Sequence, residues 1–245
     1  MPEIVLSTHH LTKKYGDHLA LNDICLTVNR GEIFGFLGHN GAGKTTTIHL
    51  LTTLLKPTSG SATICGKDIV KDSLEVRRHI GYVPENVRLY DAMTTADNLK
   101  FFARLSGIKN PEKQIGETLA FLDSTELAQR RVGTLSKGLR QRVGLAQAIV
   151  HRPEVLFLDE PSSGLDPLGI KTLRELILRL NREFATTIFM NTHLISEISK
   201  TCSTIGILNQ GQLVYRDSIE QVTQRYGDEA SLEALYLSVT PLGRK

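Results

Sequence analysis

The chain has 245 residues, 40% of them hydrophobic and 22% charged, with a formal net charge of +3. This length and composition suit one large soluble domain, or a core domain carrying a sizeable insert, and exclude a low-complexity or disordered chain. The charge bias is too weak for a nucleic-acid binder, so no nucleic-acid partner is expected. Cys25, Cys65 and Cys202 are scattered, lack metal-ligand spacing and read as free thiols in a reducing cytosol. The start MPEIVLSTHH lacks a signal-peptide pattern, and no run approaches the roughly 18 apolar residues of a bilayer span. Any work at a membrane is therefore expected to pass through a partner.

Up to Gly38 the pattern predicts short strands at Ile4–Leu6 and Leu19–Leu21, then the alternation Ile24, Leu26, Val28. Together they form an antiparallel flap beside a main sheet. Tyr15 falls on the loop between the first two, where it can stack on a purine base or pack at a strand end; spacing does not choose. EIFGFLG, Glu32 to Gly38, predicts a buried strand, and Thr45 to Leu55 predicts a helix. Between them lies GHNGAGKTT, which fits the pattern Gly, four residues, Gly-Lys-Thr in the required strand, loop, helix order.

That loop is expected to hold a polyphosphate, with Asn40, Ala42 and Thr46 among its members. Gly38, Gly41 and Gly43 let backbone N–H groups turn inward as a nest. Lys44 adds a point charge for the β- and γ-phosphates, Thr45 offers its hydroxyl to magnesium, and the helix dipole points at the same anion.

Pro57 and Gly60 stop the chain, and SATICGKDI (Ser61 to Ile69) predicts a hairpin. A helix over DSLEVRRHI and a strand GYVP lead to Glu85. From Thr94 to about Val150 the periodicity is helical, with breaks at Asn110-Pro111 and Gly133-Thr134. The last of these helices begins at LSKG with Ser136 as N-cap. VLFLDEP (Val155 to Pro161) reads as a central strand of a parallel sheet, ending in two carboxylates at the edge where ligands bind. Helix Leu168–Arg182, strand Thr186–Asn191, helix Leu194–Cys202 and strand STIGIL follow, then an Asn209-Gln210-Gly211 turn, strand QLVYR and two short helical pieces. The predicted organisation is one α/β domain over 1–245. Its nucleotide-binding core covers 1–93 and 151–216, its inserted helical subdomain 94–150, and its C-terminal helical tail 217–245.

Hydrolysis of a phosphoanhydride needs phosphate contacts, a metal, a group that activates water and charge stabilisation. Asp159 is the candidate metal-side carboxylate and Glu160 the candidate general base. His193, after the next parallel strand, reaches the same edge, where it can bond a γ-phosphate or position Glu160. His9, His10 and His151 read as surface residues.

GHNGAGKTT, YVPE, LSKGLRQR, VLFLDEP, SSGLD and TH occur in the order and approximate spacing of the ATP-binding-cassette ATPase domain, which the chain resembles from Tyr15 to past Gly211. The resemblance implies a P-loop ATPase using Mg2+ with ATP. It also implies a head-to-tail dimer with ATP between one protomer's phosphate loop and Ser136, Lys137 and Gly138 of the other. Tyr15 becomes the adenine-stacking aromatic, Glu85 a residue linking the insert to nucleotide and metal, Asp166 a residue communicating across the dimer, and His193 the γ-phosphate histidine. The catalytic set is then Lys44, Glu160 and His193, and the metal set Thr45, Glu85 and Asp159.

Most members of the family carry glutamine at Glu85, and glycine and glutamine at Lys137 and Leu139. These departures and the ending SLEALYLSVT resemble ATPase subunits of ABC-2-type exporters. The negative Glu85 near magnesium and the positive Lys137 near the partner's γ-phosphate are expected to balance. The implied partners are ATP, an integral membrane transporter subunit and a second cassette, as homodimer or pseudo-homodimer, at the cytoplasmic face of the membrane. The rival reading is a soluble ATP-gated clamp on a ribosome, nucleic acid or protein; relatives of that type carry two cassettes or long coiled coils, which this sequence lacks. Phosphate transfer to a small molecule would leave the LSKG helix and the DEP strand end as coincidences.

Overall fold

Strands β1 (Ile4–Tyr15) and β2 (His18–Asn29) each run for 12 residues and pair antiparallel. The three short strands expected here are thus two long ones, because bulges carry the pairing through the polar stretch. The register shifts between Thr8 and Leu11, and His10 and Asp23 take positive φ of 51° and 60°, so surplus residues are accommodated without ending a strand. Tyr15 is accordingly the last residue of β1, beside the turn at Gly16, and not a loop residue. His10 pairs with Asp23 at 2.6 Å across the bulge.

The computed structural model describes residues 3–226 and 229–240. After β2 come β3 (Ile33–Leu37) and α1 (Lys44–Leu51), then β4 (Ser59–Ile64) and β5 (Lys67–Asp68), which complete an antiparallel sheet in the order β2-β1-β4-β5. α2 (Ser73–His79) leads into β6 (Ile80–Val83). Three helices follow, α3 (Thr95–Leu105), α4 (Glu112–Phe121) and α5 (Lys137–Ile149), before β7 (Val155–Asp159) returns to the sheet. α6 (Pro167–Phe184), β8 (Thr187–Thr192), α7 (Ile195–Thr201), β9 (Thr204–Asn209) and β10 (Gln212–Ser218) close it, and α8 (Ile219–Tyr226) and α9 (Glu229–Val239) follow. The central order is β10-β9-β3-β8-β7-β6, parallel except for β10. Of the expected tail, 227–228 and 241–245 lie outside the described residues.

The central strands β3, β7 and β8 are buried throughout, and mostly apolar, because both faces are covered. Alternation sends Phe34, Phe36, Phe157 and Phe189 to the flap side, where they pack with Leu6, Ile24 and Ile48. Phe189 stacks on Phe34 at 5.2 Å and tilts against Phe157 at 5.6 Å. The opposite residues, Ile33, Leu156, Ile188 and Met190, share a core with Leu173, Leu176, Ile177 and Leu180 of α6 and Ile198 of α7. Gly35 permits the close seating of α7, since a Cβ there would strike Ile198 and Cys202 Sγ.

The helical insert shares that second core: Leu99, Ala103, Ile115 and Leu119 pack with Leu145, Ala146 and Ile149 of α5. Ser136 caps α5 as expected, accepting from the Leu139 N–H at 3.4 Å. His151 is not a surface residue. It is partly buried and its Nε2 donates to the Ile80 carbonyl at 2.9 Å, fastening the end of α5 to β6. Because the sheet is parallel, the loops after β3, β6, β7 and β8 all emerge on one edge.

Candidate nucleotide site

The loop after β3 is shaped by glycines with φ values that other residues avoid, 82° at Gly41 and 107° at Gly43, the N-cap of α1. A Cβ on Gly43 would also meet the Ala20 carbonyl oxygen at 2.6 Å, so the flap backs the loop directly. The Ala42 side chain is buried, its N–H donates to His39 and its carbonyl accepts from Gly211, tying the loop to the β9–β10 turn. Lys44, 6% exposed, curls back to donate to the carbonyls of Gly38 at 2.7 Å and His39 at 3.3 Å.

A cavity of about 430 Å³ opens over this loop. Tyr15, Asn40, Gly41 and Gly43 line it with Lys44, Thr45 and Thr46, while Glu85, Glu160 and His193 close the other side. Gly38 and Ala42 stand behind it. A second cavity, of about 280 Å³ between Phe121 and Phe184, opens beside Pro153 and Glu154, at the opposite end of the strands and away from the phosphate loop.

Asp159 and Asn191 are register partners at the ends of β7 and β8. Asn191, fully buried, donates its Nδ2 to Asp159 Oδ1 at 2.6 Å and accepts the Glu160 N–H on its Oδ1 at 2.7 Å. Thr45 Oγ1 donates to the same Asp159 oxygen at 3.2 Å. A hydroxyl and a carboxylate brought together at the start of α1 are hard oxygen donors, the kind that suits magnesium. Tyr82 faces Asp159 from β6; burial first, and the neighbouring carboxylate second, push its phenol far above its ordinary value and keep it protonated.

Glu160 has φ of 46°, a left-handed conformation costing a non-glycine residue about 1–3 kcal/mol. The turn swings its carboxylate off the strand and into the cavity. One oxygen lies 2.8 Å from His193 Nδ1 and the other 3.5 Å from Lys44 Nζ. Its side chain is only 11% exposed, so both contacts act in a medium of reduced screening.

Of the remaining expected residues, Glu85 lines the cavity and the others lie apart from it. Glu85 Oε1 accepts from Ser163 Oγ at 3.0 Å. Asp166 caps α6, accepting from the Gly169 N–H at 2.8 Å. Ser136, Lys137 and Gly138 stand at the start of α5 and do not line the cavity over the phosphate loop. Lys137 lies across Gly164, where a Cβ would collide with its Nζ. Sequence reasoning missed Asn191, Tyr82 and Ser163. For Asn191 a signal existed, since an amide ending an apolar parallel strand mirrors Asp159 on its neighbour.

The ABC transporter family profile matches residues 21–163, more than half of the chain. The bacitracin transport ATP-binding protein BcrA of Bacillus licheniformis is 40% identical over 221 residues, 90% of this chain and 72% of the relative. The ABC transporter ATP-binding protein NatA of Bacillus subtilis (strain 168) is 36% identical over 228 residues, 92% of this chain and 91% of the relative. Among solved structures, CbiO1 of Clostridium perfringens, described as part of the ABC transporter complex CbiONQ, superposes with a TM-score of 0.83 at 29% identity over 92% of both chains. MJ0796, a bacterial ABC transporter cassette solved as a dimer, gives 0.79 at 26% identity over 87% of this chain and 98% of its own. The chain belongs to the ABC transporter family and is an ATP-binding, ATP-hydrolysing subunit of such a transporter.

Proposed function

We propose that the chain hydrolyses ATP in the cavity over Gly38–Thr46 with Glu160 as general base, and that it does so as one cassette of a head-to-tail pair driving a separate membrane subunit. The observation that carries this reading is the Glu160 carboxylate, aimed into the cavity and shared between His193 and Lys44. Water attacks the γ-phosphorus as its proton passes to a Glu160 oxygen, and the bond to the β-bridging oxygen breaks. His193 holds the carboxylate in place. Lys44 has three donors, two of them on the carbonyls of its own loop, and the third, which faces Glu160 Oε1 at 3.5 Å, is the one that turns to phosphate oxygens. The loop's amides add their dipoles where negative charge collects.

Magnesium fits Thr45 with Asp159, and when bound it neutralises β- and γ-phosphate charge. Ser136 and Gly138, with the backbone N–H of Lys137, meet the partner's nucleotide at the start of α5, with Asp166 at the seam. The dimeric MJ0796 cassette supports the pairing. No helix among the described residues is long and apolar enough to cross a membrane, which supports action through a membrane subunit, here assigned to the cytoplasmic face. The departures at Glu85, Lys137 and Leu139 and the similarity to a bacitracin transport protein favour an exporter of the ABC-2 type. The test is Glu160→Gln. ATP binding is retained and turnover falls by roughly 10²-fold or more; full turnover in that variant removes Glu160 from the role.

A further inference from the structure

Two of the three residues that depart from the family pattern, Glu85 and Lys137, stand on different elements, and both side chains arrive at the same short loop. The loop runs from Glu160 to Asp166. Glu85, on the segment entering the helical insert, accepts the Ser163 hydroxyl at 3.0 Å. Lys137, the first residue of α5, lies over Gly164, whose missing Cβ and positive φ of 67° leave room for it. Ser163 in turn donates its N–H to the Glu160 carbonyl at 3.0 Å, and Leu165 donates to Ser162 at 3.2 Å. A continuous path therefore runs from Glu85 through Ser163 to the backbone of Glu160, whose φ of 46° makes its side-chain direction sensitive to its neighbours.

We infer that Glu85 and Lys137 are positioning residues that clamp the 160–166 loop from the side of the helical insert, so that the aim of Glu160 depends on where the insert sits. The inference rests on the assignment of Glu160 as general base. It replaces the expectation that the two side-chain charges balance each other at the nucleotide, one near magnesium and one near the partner's phosphate, with a joint action on a loop of their own chain. Glu85 acts here as a hydrogen-bond acceptor, a task that an amide oxygen also performs. Lys137 acts by filling the space over Gly164.

The experiment uses the full chain in two measurements. Millisecond-resolved hydrogen exchange of the Ser163 and Leu165 amides, without nucleotide, reads the clamp. In Glu85→Ala and in Ser163→Ala, exchange rises about tenfold, the effect of one lost hydrogen bond, and the double variant rises no further. Glu85→Gln restores protection, and Lys137→Ala also raises exchange. Steady-state ATPase kinetics then read the consequence. In Glu85→Ala and Ser163→Ala, kcat drops about tenfold without a further drop in the double variant. KM for ATP and the Mg2+ concentration giving half the maximal rate stay within about twofold of the starting protein.

Unchanged exchange in Glu85→Ala and Lys137→Ala overturns the clamp. Faster exchange with unchanged kcat overturns its link to Glu160. A raised Mg2+ requirement in Glu85→Ala, with Ser163→Ala fully active, returns Glu85 to the metal and overturns the proposal. If Glu160→Gln keeps full turnover, the catalytic assignment fails, while the exchange measurement still decides whether the clamp exists.

Discussion

Asn191→Ala tests the arrangement that holds both carboxylates. The buried amide makes two hydrogen bonds, a buried one to Asp159 Oδ1 at 2.6 Å and a partly buried one from the Glu160 N–H at 2.7 Å. The first is charge-assisted, and losing it leaves the Oδ1 of a carboxylate only 4% exposed with the longer bond from Thr45, a cost of about 1.5–3 kcal/mol. The second is partly covered, because the Glu160 N–H also reaches the Asn191 backbone oxygen at 3.2 Å, and its loss adds about 1 kcal/mol or less. The total is roughly 2–4 kcal/mol, or roughly 5–15 °C in Tm for a chain of this size. Asn191→Asp keeps an acceptor for Glu160 but sets a second carboxylate against Asp159, and should cost at least as much. The chain has no tryptophan, so urea unfolding is best followed by far-ultraviolet circular dichroism. A loss below about 0.5 kcal/mol in Asn191→Ala, or a gain in Asn191→Asp, refutes the pairing.

His151 supplies a pH dependence. Burial outweighs its bond to the Ile80 carbonyl and holds the imidazole below its ordinary value, while its Nδ1 is buried without a hydrogen-bond partner among the described residues. The folded chain therefore resists a proton that the unfolded chain accepts near pH 6.5. The stability from neutral His151 is complete above about that pH and is lost as pH falls toward the lower folded value. His151→Gln should flatten the fall in urea midpoint between pH 7.5 and 5; an unchanged fall refutes this. The cysteines should alkylate in order of exposure. Cys25 is exposed, Cys65 is pushed up to about 11 by burial and then by Glu154, and Cys202 is pushed far up by burial. With iodoacetamide near pH 8, Cys65 should react about 100-fold more slowly than an ordinary thiol, and Cys202 only after unfolding. Peptide mass spectrometry reads the order, and equal rates at Cys25 and Cys65 would contradict it.

How much of this was legible depended on whether the signal was local. The phosphate loop, the DEP strand end and the N-cap at Ser136 are each written in consecutive residues, and the structure builds them as read. The flap was misread because bulges at His10 and Asp23 have no fixed sequence mark, so a polar interval looked like the end of a strand. His151 was misjudged because its burial comes from β6, some seventy residues earlier in the chain. The contacts of Glu85 and Lys137 could not be read at all. Each is a side chain reaching a loop that only the closing of the sheet brings near.

The supports of Glu160 differ in kind, and the difference bears on how a cassette can move without losing its site. Toward the sheet, Asp159 and Glu160 are fixed by β8 through bonds to the buried Asn191, part of a core that opens only on unfolding. Toward the insert, the loop is held by one exposed bond to Glu85 and by a lysine resting on a glycine. Each of these contacts contributes on the order of 1 kcal/mol, which is small beside the binding energy of a nucleotide. A rotation of the insert would therefore exchange the weak contacts and leave the strong ones in place. Under the proposed role of Glu160, its carboxylate would be re-aimed by motion at Ser163 while the position of Asp159 beside Thr45 stays constant, which would make phosphate holding and water activation separable steps.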